Sequence, residues 1–88
     1  MYDNAITALE KLAAELGSRG FTARLATPPG MPPRLVVSNP AAPMLSETVM
    51  TEAGCFWWPW AERIAEEGGI STAADTVARV LRGAEDGQ

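Results

Sequence analysis

The run Cys55-Phe56-Trp57-Trp58-Pro59-Trp60 places four large aromatic rings within five positions and holds every tryptophan of the chain. No other stretch needs so much dry surface. Aromatic side chains suit a pleated, half-buried strand, and successive side chains on a strand point to opposite faces. An extended segment over 55–58 therefore puts Cys55 and Trp57 on one face and Phe56 and Trp58 on the other. Each large ring can bury roughly 150–250 Å², so leaving either face in water is costly. Cover must come from the same chain, from a second copy or from a partner. Pro59 lacks a ladder donor and stops the strand. It also suits the first position of a helix, which Trp60 would then open.

The chain has 88 residues, enough for one domain with a modest core. A single domain over 1–83 is expected, followed by a flexible polar tail over 84–88. The net charge of −4 argues against non-specific nucleic-acid binding, which needs clustered lysine and arginine. It leaves room for a protein partner with a basic surface. Cys55 is the single cysteine and there is no histidine. No intramolecular disulfide is possible, and a metal site or a histidine-based catalytic triad is not expected. No cofactor is expected either. The chain has no apolar run of the ~18 residues a membrane span needs. Its first residues carry Asp3 and Glu10 without a basic leader region, so a cytoplasmic location is expected.

Asp3 or Asn4 can cap a first helix. Ala5, Leu9, Leu12 and Leu16 then recur at helical spacing, with Ile6 and Ala13 beside them. Gly17 and Gly20 end the helix. Phe21 to Ala26 alternates as a strand, with Phe21, Ala23 and Leu25 inward. The proline-rich run Thr27 to Pro33 reads as a hairpin connection, or as a ligand for a groove that recognises extended proline. Arg34 to Ser38 is a second strand, Asn39 to Pro43 a break, and Ser46 to Thr51 a third strand. Glu52-Ala53-Gly54 joins it to the aromatic strand as a hairpin with a bulge. Pro59 to Glu67 fits a short helix, with Trp60 and Ile64 on one side and Glu62 and Glu66 on the other. Ser71, or Thr72 with Asp75, can box the start of a last helix. Its stripe is Ile70, Ala74, Val77 and Leu81, widened by Ala73 and Val80, and Gly83 caps it. The expected fold is α+β: an antiparallel meander of three to four strands, helices on one face, in the order α-β-β-β-β-α-α.

Few residues offer chemistry. Glu62, Glu66 and Glu67 could form an acid pair or a cation site, but a solvated helix face explains them. Glu47 is the better polar candidate, because it can lie near the aromatic strand. Cys55 has no histidine to activate it and apolar neighbours, so it reads as a small buried hydrophobe. The tryptophans have three readings: core clamp, symmetric dimer interface, or groove for another ligand. Stacking on bases would need arginines nearby, and Arg24 and Arg34 can lie on neighbouring strands.

The order helix, three strands, helix looks like the double-stranded RNA-binding domain. That family meets phosphates with a basic patch at the start of its last helix. Ser71-Thr72-Ala73-Ala74-Asp75 has no lysine there, so RNA binding does not carry over. Leu45-Ser46-Glu47 followed by Phe56-Trp57-Trp58-Pro59-Trp60-Ala61-Glu62-Arg63-Ile64 resembles small actinobacterial proteins with an FWWPWAERI-like motif. The resemblance spans roughly Gly20 to Leu81. It implies an antiparallel core and an alanine-rich last helix, and it implies no activity.

The expected function is a non-enzymatic interaction module that binds itself or another protein through the aromatic hairpin. Trp57, Trp58 and Trp60 would be the anchors, with Phe56 behind them and Glu47 or Arg34 as polar rim. The alternatives are an acidic inhibitor that occupies a basic surface, and an enzyme with a carboxylate-centred site.

Overall fold

A computed structural model describes residues 3–81, giving the backbone alone for residue 3 and for 42–45. The expected tail over 84–88 and the Gly83 cap lie outside the described residues. The order is α1 (Asp3–Ser18), β1 (Thr22–Ala26), β2 (Arg34–Asn39), β3 (Ala42–Glu52), β4 (Cys55–Trp57), β5 (Arg63–Glu66) and α2 (Ile70–Leu81). The five strands form one antiparallel meander in sequence order. The architecture is α+β as expected, with one strand more and one helix fewer.

The two helices lie together on one face. α1 packs over β1 and β2, and α2 packs over β5, with contacts to β3 and to α1. Leu9, Leu12 and Leu16 of α1 are fully buried, as their spacing requires. On α2 the core is Ala73, Ala74, Val77, Ala78 and Leu81. Val80, expected to widen that stripe, is exposed, and Ala78 takes its place. Three small buried residues allow α2 to approach the sheet closely. Beneath the helices the register aligns Ala23–Val37–Glu47, Leu25–Leu35–Val49 and Thr51–Phe56–Ala65. Directly paired residues share a face, so these rows point to the helix layer.

α1 ends in a Schellman motif. The Phe21 N–H donates to the Leu16 carbonyl at 3.0 Å and the Gly20 N–H to the Gly17 carbonyl at 3.1 Å. Gly20, at φ 93°, takes the left-handed position, and buried Phe21 supplies the apolar contact that accompanies the motif. Arg19 then ion-pairs with Glu15 at 3.0 Å and with Asp75 of α2, joining the two helices. Both carboxylates, Asp75 first, raise the proton affinity of the guanidinium. Asp75 is thus spent on a tertiary contact and not on a capping box. α2 starts after Gly69, whose carbonyl accepts from the Ala73 N–H at 2.8 Å. α1 starts at Asp3, which leaves both proposed caps, Asp3 and Asn4, within its first turn.

Two hairpins shape the aromatic region. Glu52 pairs with Cys55, so the loop is Ala53-Gly54 alone. The expected bulge is absent there. Ala53 has φ 54° and Gly54 φ 78°, the two positive values that a type I′ turn requires. The left-handed region costs an alanine about 1–2 kcal/mol, whereas Asn-Gly is the favoured pair for this turn. Ala53→Asn should therefore raise the unfolding free energy by about 0.5–1 kcal/mol, since asparagine tolerates this region better. A higher urea midpoint is the readout, and an unchanged midpoint would show that Ala53 is not strained.

The expected helix over Pro59–Glu67 is a second hairpin. The Ala61 N–H donates to the Trp58 carbonyl at 3.0 Å, and the Trp58 N–H to the Glu62 carbonyl at 2.9 Å. Ala61 has φ 67°. Pro59-Trp60-Ala61 is thus a three-residue loop, a tight turn followed by a left-handed residue. The left-handed Ala61 stops any helix after its first two residues. β5 then pairs with β4, with Ile64 bulged between the Phe56–Ala65 and Trp57–Arg63 partners and turned into the core.

Candidate interaction face

The strand residues that alternate with the core rows form the opposite face of the sheet, which neither helix covers. Its central row crosses all five strands: Ala26–Arg34–Met50–Trp57–Arg63. One step along the strands lies Arg24–Val36–Thr48. One step the other way lies Glu52–Cys55–Glu66. Met50 and Trp57 are half-buried side by side at the centre. The Trp57 indole is held by its Nε1–H, which donates to the Glu52 carbonyl at 3.0 Å. A groove of ≈ 520 Å³ is lined by Met50, Trp57 and Trp58, together with Pro32 and Pro59. Its lining is mostly apolar, and Glu52 is its single carboxylate.

The expected division of the aromatic strand holds. Phe56 is 0% exposed on the helix side, while Cys55 and Trp57 are half-buried on the open side; Trp58, just past the end of β4, is 3% exposed. The six residues expected to meet a partner therefore do not form one surface. Phe56 is a core residue with nothing to offer a partner. Trp58 is packed into the core and contributes only to the groove's wall. Trp60 is 53% exposed at the loop tip. It stacks on Trp58 with centroids 5.1 Å apart and planes 6° apart, and its Nε1–H donates to Glu62 Oε1 at 2.9 Å. Glu47 stands opposite Val37 on the helix side, away from Trp57. The register there puts Glu47 at the wrong parity for the rim. Arg34 and Trp57 do share the open face, in one row.

Met50 and Arg63 were not among the candidates. Met50 becomes visible only through its pairing with Trp57. Arg63 was hidden by the helical reading of its segment. The Glu62 and Glu66 row also dissolves, because Glu62 lies in the loop and Glu66 on β5. Among the described residues no group of three histidine, cysteine, aspartate or glutamate side chains could hold a metal ion. Compared with known proteins, the chain has no significant match to any family model, curated protein or solved structure.

Proposed function

We propose that this chain is a non-enzymatic interaction module that binds a protein, either another chain or its own copy, through the open face of its sheet. One observation carries the reading: Trp57 and Met50 stand at the centre of a five-stranded face without helix cover, beside an apolar groove and between two arginines. Interface hot spots combine tryptophan and arginine in this way, with well-packed apolar centres and charged surroundings. The reading as an acidic inhibitor gains less support. The described carboxylates are spread over α1, β3, β5, α2 and the loops beside β5 instead of one face. An acid-centred enzyme needs two carboxylates converging in a groove, and the apolar groove has only Glu52.

Among the described residues no helix is long and apolar enough to cross a membrane. A cytoplasmic setting fits the unpaired Cys55, which is a free thiol. Three arginines beside an indole also suit a single-stranded nucleic acid. The net charge of −4 opposes a polyanion more than it opposes a compact protein surface.

The test is capture of partners from the native cell, paired with light scattering on the purified chain. Trp57→Ala should weaken the complex, of either kind, by about 30-fold, the factor that a 2 kcal/mol hot spot implies. Trp60→Ala, at the loop tip, should weaken it much less. A folded Trp57→Ala chain that keeps all its partners and its oligomeric state would refute the proposal.

A further inference from the structure

We infer that the occupant of the open face is a second copy of this chain, docked face to face about a two-fold axis that runs across the strands. The inference rests on the interaction reading and adds the partner and its register. Its basis is the sorting of charge along the strands. Arg24, Arg34 and Arg63 occupy the central row and the row on one side of it, whereas Glu52 and Glu66 occupy the row on the other side. Among the described residues the ion pairs are those of Arg19, so none of these five groups is paired within its own chain.

One half of the face is thus basic and the other acidic. Such a face is complementary to itself once it is turned end for end. A two-fold axis across the strands, between the Trp57 row and the Cys55 row, performs that turn. It lays the row of Trp57 over the row of Cys55 of the second copy. Arg63 then faces Glu66 of the second copy, and each Trp57 lies over the other molecule's Cys55. Every contact made occurs twice, as an isologous interface requires. The strands of the two sheets stay aligned, which is one of the two ways sheets stack at about 10 Å.

Five strands at about 4.8 Å spacing make a face about 24 Å wide, and its three rows span about 14 Å along the strands. That extent places the pair at or below the standard interface of about 800 Å² per partner. The dimer should accordingly be reversible and concentration-dependent.

Light scattering after size exclusion, over a concentration series, is the first measurement. The mass should climb from that of one chain towards twice that value. Arg63→Glu sets acid against acid and Glu66→Arg sets arginine against arginine. Each alone should weaken pairing at least about tenfold, since like charges set against each other oppose the contact. Arg63→Glu combined with Glu66→Arg exchanges the charges and should restore the dimer. Both residues are exposed, and circular dichroism confirms that each variant is folded. A monomer at millimolar concentration overturns the inference. So does a wild-type dimer that both single variants keep, or one that the double variant fails to restore. A strict monomer whose Trp57→Ala variant loses a cellular partner overturns the self-pairing and leaves the interaction module standing.

Discussion

Phe56→Ala should unfold the chain at a far lower urea concentration than wild type, while Trp57→Ala, one position away, should shift the transition clearly less. Phe56 is 0% exposed, in a row with Thr51 and Ala65 under the helices. Removing a buried phenylalanine costs about 3–5 kcal/mol, because transfer energy and cavity energy add. A chain of 88 residues has a total stability of about 4–13 kcal/mol. The substitution therefore removes about a quarter of that margin or more. Trp57 lies on the open face, where its cross-strand contacts with Met50 and Arg63 contribute about 0.2–1 kcal/mol each. Circular dichroism gives both transitions without relying on the indole being removed. Equal losses at the two positions would mean that the open face is packed as tightly as the core, and the proposed interaction surface would fall with it.

Asn39 should show the second large effect. It is the one buried polar side chain of the described core, 7% exposed at the end of β2. Its Nδ2–H donates to the carbonyl of Leu81, the last residue of α2, at 3.3 Å. Its Oδ1 accepts from the Ala41 N–H at 3.0 Å. One side chain thus holds the β2–β3 turn and ties it to the end of α2, where helix carbonyls lack helical partners. Asn39→Ala leaves both groups unpaired and should cost about 1–3 kcal/mol. Asn39→Asp keeps the acceptor for Ala41 and points a carboxylate at the Leu81 carbonyl. It should be the worse variant at neutral pH. Burial against a carbonyl disfavours the charged form and raises the carboxyl pKa in the folded state. Stability is then regained as pH falls through that raised value, because the protonated acid can donate to Leu81. Urea midpoints at neutral and acidic pH measure this. An Asn39→Asp midpoint that follows wild type across pH would show that the Leu81 contact carries no weight.

Much of the fold was legible because the decisive patterns are local. Leu9, Leu12 and Leu16 repeat at helical spacing, and no strand could bury all three on one face. Phe56 and Trp58 had to part from Cys55 and Trp57 as soon as the segment was extended. The segment after Pro59 was not legible. Trp60, Ala61, Ile64 and Ala65 carry apolar side chains at helical spacing, yet Arg63 to Glu66 is also a strand's length. What settles it is the left-handed Ala61, which turns the chain back so that β5 pairs along the edge of β4. Glu47 failed for a related reason: its parity relative to Trp57 depends on the register of two hairpins.

The residue order alone thus determined the two amphipathic helices, the antiparallel character of what lies between them, and the two-sided placement of the rings. These follow from spacing within a few residues, where backbone geometry leaves little choice. The three-dimensional packing decided the fifth strand, the meeting of Arg34, Met50, Trp57 and Arg63 in one row, and the separation of basic from acidic rows on the face away from the helices. Those features join residues up to about thirty positions apart through strand pairing, and no local period in the chain encodes which row a side chain will join.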